Sequence, residues 1–121
     1  DEYRNQRWKI IPRIAEGPWV VKSAVGTKPA LLGMKVDQAY HITDNYCQVD
    51  IDVASSKVAT MLTGLIIASI QQLTIDLAFT LEGRAEDELQ EEIIGTIRLK
   101  KVDITLTKRC TDFEDNVNEN E

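Results

Sequence analysis

The chain has 121 residues, 43% of them hydrophobic and 28% charged, which suits a single globular domain able to bury a core without disulfide help. Its net charge of -6 argues against nucleic acid as a partner, because phosphate binding needs a concentrated basic face. The charge is uneven: residues 1–35 carry seven Lys or Arg against three Asp or Glu, about +4, leaving about -10 for the remainder. Such an imbalance is either an ordinary solvated surface or a face turned to an anionic membrane, where each well-placed Lys or Arg contributes roughly 1 kcal/mol. The chain opens at Asp1 without a methionine or a signal-peptide pattern, so it is expected to be a piece of something longer.

In chain order, residues 1–7 are polar apart from Tyr3 and lead in as a loop or short helical turn. Trp8, Ile10 and Ile14 alternate with Lys9 and Arg13, and Pro12 interrupts them. Proline cannot donate to a ladder, so the pattern predicts an edge strand or a bulged one. Glu16-Gly17-Pro18 is a turn, and Trp19–Val25 is expected to return as the second arm of a hairpin. A loop at Gly26–Pro29 precedes Leu31-Leu32, and a strand is predicted where Met34, Val36 and Tyr40 alternate with polar residues.

Thr43-Asp44-Asn45 turns the chain into Cys47–Val53, the cleanest alternation in the sequence. Ser55 or Ser56 then caps a helix running to Gln72, uncharged from Val58 to Ile70, with Gly64 marking a close approach to the sheet. Thirteen uncharged residues at about 1.5 Å each reach roughly 20 Å, short of the ~30 Å a bilayer core requires. Leu73–Leu81 alternates as a strand, and Ala85–Glu92 reads as a short helix with acids at its positive end. Ile93–Leu106 is the last strand, changing register at Lys100-Lys101 through a β-bulge. Residues 107–121 have the composition of a disordered acidic tail.

Chemistry-bearing residues are sparse. Cys47 and Cys110 form no C-x-x-C pair, and Cys47 falls on the apolar side of its strand, as expected of a buried free thiol in a cytoplasmic chain. His41 stands alone, so no zinc site is recognisable. Asp50 and Asp52 share one strand face and could hold a cation, but alternation already places both toward solvent. Ser55-Ser56 lacks a nucleophile elbow, and the glycines form no phosphate loop. The residues thus favour a non-catalytic module with no cofactor and no metal. Trp8 and Trp19, set among Arg7, Lys9 and Lys22, suit either a core or a ligand or membrane contact.

The run Tyr3–Lys22, YRNQRWKIIPRIAEGPWVVK, together with AVGTKPALLG at residues 24–33, resembles the C-terminal domain of the Enhanced Disease Resistance 2 family of plants. The likeness continues through Tyr40-His41, Asn45-Tyr46, Val49–Ser56, the apolar helix, Glu88-Leu89 and Gly95–Arg98, and assigns residues 3–106 to the second half of that domain. In that family the domain follows a pleckstrin-homology domain and a START lipid-transfer domain. The resemblance therefore implies work on lipids at endomembranes or the plasma membrane and a restraining role in cell death and defence. It supplies no catalytic residues.

These readings combine into an α+β expectation: a curved, mostly antiparallel sheet of about six strands wrapped around one long apolar helix, START-like or helix-grip-like by analogy. The expected function is a lipid-binding or membrane-associating module, peripheral on cytoplasmic membrane faces. Trp19, Val58, Met61, Leu62, Leu65 and Phe79 would bind lipid, while Trp8, Lys22, Lys28, Leu31 and Leu32 would meet the membrane. Partners are then a lipid or an anionic surface and other domains of a longer parent, not nucleic acid. The rival is a protein-interaction or regulatory domain with a solid core.

Overall fold

The computed structural model describes residues 1–108; Cys110 and nearly all of the acidic tail expected at 107–121 lie outside them. Two separate antiparallel sheets form the fold. The larger has four strands, β1 (Trp8–Glu16), β2 (Ala30–Leu31), β5 (Thr74–Leu81) and β6 (Ile93–Lys100), in the order β2-β1-β5-β6. The smaller is a two-stranded ribbon of β3 (Asp37–Ile42) and β4 (Cys47–Asp52). Three helices join them: α1 (Glu2–Asn5), α2 (Trp19–Val25) and α3 (Lys57–Ala68).

This corrects the single curved sheet wrapped on a central helix. β2 is only two residues long and, among the described residues, the β3–β4 hairpin pairs with no other strand, so no continuous run of strands surrounds α3 there. The helix extends for 12 residues, none of them buried, and lies against one end of the main sheet. Its cap is as expected, with the Ala59 amide donating to Ser56 Oγ at 3.3 Å. Gly64 meets nothing within 4 Å and marks no close approach.

The Trp8–Val25 hairpin is also overturned, because Trp19–Val25 is a helix. Val21 and Val25 satisfy a spacing of two and a spacing of four equally well, and Pro18 supplies a fixed φ of -58° just before the first turn. Val21 turns inward and is buried. Pro12 does sit on an open edge: β2 pairs β1 only at Lys9 and Ile10, and β1 bulges between Ile14 and Glu16. The third strand starts at Asp37, after a 3-10 turn at Leu32–Met34. Ala85–Glu92 contains a three-residue 3-10 turn, Glu86–Glu88. β6 ends at Lys100 because Lys101 turns to φ 48°, and its register breaks near Ile94 instead.

Pairing of Ile14 with Ile75 and of Pro12 with Leu77 puts Trp8, Ile10, Pro12 and Ile14 on one face with Ile75, Leu77, Phe79 and Leu81. At one end of that face Ile14 and Ile75 join Val21, Ile70 and Leu73 in the core, backed by Leu65, Ile66, Leu99 and Val102. Leu73, 1% exposed, packs against Gly17, whose φ of 149° suits glycine and where a Cβ would strike Leu73 Cδ2. Gly17→Ala is expected to destabilise the fold by about 1–3 kcal/mol. Gly64→Ala, in open space on a helix, should stabilise it by about 0.5–1 kcal/mol. Urea unfolding of both variants checks the pair, and equal midpoints would contradict this packing.

Candidate functional site

The other end of the same sheet face is not filled by helix. A groove of about 660 Å³ runs there between the main sheet and the ribbon. Trp8, Leu81 and Ile94 line it from the sheet, Tyr40, Ile42, Cys47 and Val49 from the ribbon, and Tyr3, Arg4 and Arg7 from the first segment. The Trp8 ring forms a stacked pair with Phe79 at 5.5 Å between centroids, which steadies the wall.

Local chemistry explains why each wall stands where it does. Thr43 Oγ1 accepts from the Asn45 and Tyr46 amides at 3.2 Å and closes the β3–β4 turn. Ser55 Oγ accepts from the Asp37 amide at 2.8 Å and donates to the Asp52 carbonyl at 2.7 Å, tying the ribbon's base. The Tyr40 hydroxyl lies 2.8 Å from the side-chain oxygens of both Asn5 and Gln38, linking the ribbon to α1. α1 itself is held close by Gly33, where a Cβ would fall 2.6 Å from Asn5 Cα.

Ion pairs fix the loop after β5, whose Glu82, Gly83 and Glu88 line one side of the groove. Arg7 donates to Glu88 Oε2 at 2.7 Å and to the Glu82 carbonyl at 2.9 Å. Lys9 bridges Glu82 and Glu91, with Glu91 Oε2 at 2.7 Å. Burial alone would lower the Lys9 pKa, but its hydrogen bonds to Glu82 and Glu91 outweigh that and raise it. Arg4 lies over the Tyr40 ring at 5.8 Å and Arg7 over Tyr3 at 4.9 Å, so both guanidinium groups sit against the aromatic walls.

The residues predicted for a site are divided among three places. Trp8 lines the groove and Phe79 supports it from beneath. Trp19, on α2, and Val58 and Met61, on α3, are exposed at 77%, 69% and 72%. Leu62 is half-buried and Leu65 packs on the core. Lys22 and Lys28 are exposed, whereas Leu31 and Leu32 are half-buried in β2 and the turn that follows. Cys47 corrects the sequence reading, for it is exposed. Alternation located the strand and its side: Val49 and Tyr40 on that side are half-buried, while Cys47, at the strand's first position, stands at the open groove.

His41 Nε2 and Asp50 Oδ2 meet at 2.9 Å on the exposed ribbon, and Gln48 and His41 together lower the Asp50 pKa. Asp52 accepts from the Ala54 amide at 3.0 Å, so the two aspartates serve separate local roles. On the opposite face of the main sheet, Arg98 and Arg13 clamp Asp76 and hold its carboxyl far below the usual range. No group of three or more His, Cys, Asp or Glu among the described residues is placed to share a metal ion. No helix among them is long and apolar enough to cross a membrane.

Sequence reasoning missed Tyr3, Arg4, Tyr40, Ile42 and Val49 as one lining. Their positions carry no shared motif, and only the docking of the ribbon beside β1 brings them together.

By its architecture the chain is an α+β domain with an apolar groove between two antiparallel sheets. Residues 1–103 match the family model described as Protein ENHANCED DISEASE RESISTANCE 2, C-terminal, and the chain belongs to that family. It is 39% identical over 105 residues to the Arabidopsis thaliana protein named ENHANCED DISEASE RESISTANCE 2-like; the match takes in 87% of this chain and 15% of that protein's length. No solved structure matches it at a significant level.

Glu88 offers a test of the anchoring of the loop after β5. Backbone amides of Arg84 and Ala85, with Arg7, pull its carboxyl from the ordinary 4.5 down to about 2. A lowered carboxylate pKa means that this hold on the loop is complete above pH 4.5 and is lost as pH falls through about 2. The Arg84 and Ala85 amide resonances should therefore titrate with a midpoint near 2, and Glu88→Gln should abolish the titration. A midpoint at 4.5 would mean that the bonds do not form in solution.

Proposed function

We propose that this domain is a non-catalytic lipid-binding module, taking an amphiphile with an apolar tail and an anionic head into the groove between its sheets. The observation that carries the reading is the groove itself, whose volume of about 660 Å³ lies in the range of roughly 300–1,000 Å³ usual for small-molecule sites. Its walls are mostly apolar, and Arg4 and Arg7, paired with Asp1 and Glu88 in the structure, bring the guanidinium groups that an anionic head would compete for.

The same reading puts the helical layer against a membrane surface. Residues 17–36 and 53–75 contain no acid in a chain with 20 of them, and they carry Lys22, Lys28, Lys35 and Lys57. Trp19, Val20, Val58 and Met61 are exposed on that layer, the pairing of apolar and basic groups that favours an anionic interface. A second reading, a protein-interaction or regulatory domain, draws on the same exposed side chains: α3 is apolar on nearly all sides yet has no buried residue, and a partner domain of the longer parent would cover it.

Trp19→Phe leaves Trp8 as the sole tryptophan and a reporter of the groove. Its emission should shift on titration with oleate, and Val49→Trp in the other wall should weaken oleate binding about tenfold or more while keeping the thermal transition. If Trp8 emission is indifferent to oleate and no lipid mass co-purifies in native mass spectrometry, the interaction reading takes its place.

For the membrane face, Lys22→Glu with Lys28→Glu should weaken co-sedimentation with phosphatidylserine liposomes at least tenfold, in keeping with about 1 kcal/mol for each basic residue. Unchanged sedimentation would remove the helical layer from the proposal.

A further inference from the structure

The basic side chains fall into two groups. Arg4, Arg7, Lys9, Arg13, Arg98 and Lys101 each pair with a carboxylate. Lys22, Lys28, Lys35 and Lys57 are exposed and pair with none among the described residues. These four lie in the acid-free segments 17–36 and 53–75, which carry α2 and α3. Val25 of α2 and Leu65 and Ile66 of α3 rest on one core, so the two helices form a single layer. Trp19, Val20, Val58 and Met61 are exposed on it. Such a layer is complementary to an acidic segment that carries a few apolar side chains.

The same chain supplies that composition. Residues 110–121, CTDFEDNVNENE, hold five acids, no base, and the apolar Phe113 and Val117. The described residues lead toward them from beside the layer. The Lys101 amide donates to the Leu73 carbonyl at 2.8 Å, and Val102 packs against the core that α2 and α3 cover. Gln71, just after α3, donates from Nε2 to Asp103 Oδ1 at 3.4 Å. Ten residues from Lys108 to Asn118 span at most about 35 Å, whereas a 12-residue helix is about 18 Å long. A tether this short holds the segment near the layer at an effective concentration on the order of mM.

We infer that the acidic segment Asp112–Glu121 docks on the α2–α3 layer, setting its carboxylates against the unpaired lysines and its two apolar residues against the exposed apolar side chains. The contact rests on the membrane reading for its consequence, which is autoinhibition. Segment and anionic bilayer compete for the same lysines, so only the undocked form binds the bilayer.

In the full chain, Asn118→Cys with Cys47→Ser and Cys110→Ser gives a single site for a nitroxide label. The amides of residues 19–22 and 57–61 are expected to broaden, and those of the β3–β4 ribbon are not. Neutralising the acids (D112N, E114Q, D115N, E119Q and E121Q) should free the layer from the label while the other amide resonances keep their positions, which shows the fold intact. Lys22→Glu with Lys57→Glu should free it as well. Neutralising the acids should also tighten binding to phosphatidylserine liposomes about tenfold, the change expected when the undocked form is about a tenth of the population. A label that leaves the layer unbroadened, or broadens it equally with the acids neutralised, overturns the inference. So does a neutralised chain that sediments with liposomes no more tightly than the unaltered one. Docking with no sedimentation of either chain upholds the contact and strikes the membrane reading instead.

Discussion

Leu73 is the joint on which this structure turns. It lies between the last helical turn after α3 and the first residue of β5, and only 1% of its surface is exposed. Its side chain fills the space left by the missing Cβ of Gly17, in the turn from β1 into α2. Its carbonyl accepts from the Lys101 amide at 2.8 Å, where the chain leaves β6. One residue thus ties together the ends of β1, β6 and the helix that feeds β5. Burial of a leucine side chain contributes about 1.5–3 kcal/mol, and here it falls where β1 and β6 end and β5 begins.

From that joint the main sheet's apolar face divides in two. Near Leu73 the helices close over Ile14 and Ile75 and make a compact core. Toward Trp8 and Leu81, α2 and α3 no longer reach, and the ribbon and α1 stand beside the sheet without filling the space between. The groove is therefore a consequence of where α2 and α3 end. Arg7 with Glu88 fixes the loop after β5 along one rim, and Lys9 with Glu82 and Glu91 ties the same loop to β1. These pairs are partly exposed, so they orient the loop more than they stabilise the fold.

Period-two alternation made the strands legible. β1, β4 and β5 fall within a residue or two of their expected bounds because each has one face against apolar neighbours or lies in a ladder that imposes the same alternation. Trp19–Val25 was not legible, since two inward valines four apart fit strand and helix alike. Cys47 shows a second limit: alternation assigns a side chain to one side of a strand, and only packing decides whether anything covers that side.

By itself the sequence determined local periods, the Ser56 cap, the turns at Thr43 and Gly17, and membership of the Enhanced Disease Resistance 2 C-terminal family through residues 1–103. Tertiary structure alone decided that the β3–β4 hairpin forms a sheet of its own, that α3 lies on the surface, and that Tyr3, Trp8, Tyr40, Val49 and Leu81 share one groove. The physical reason is range. Caps, turns and alternation are settled by atoms a few residues apart, whereas the placement of a hairpin or an apolar helix depends on which distant surfaces are free to receive it.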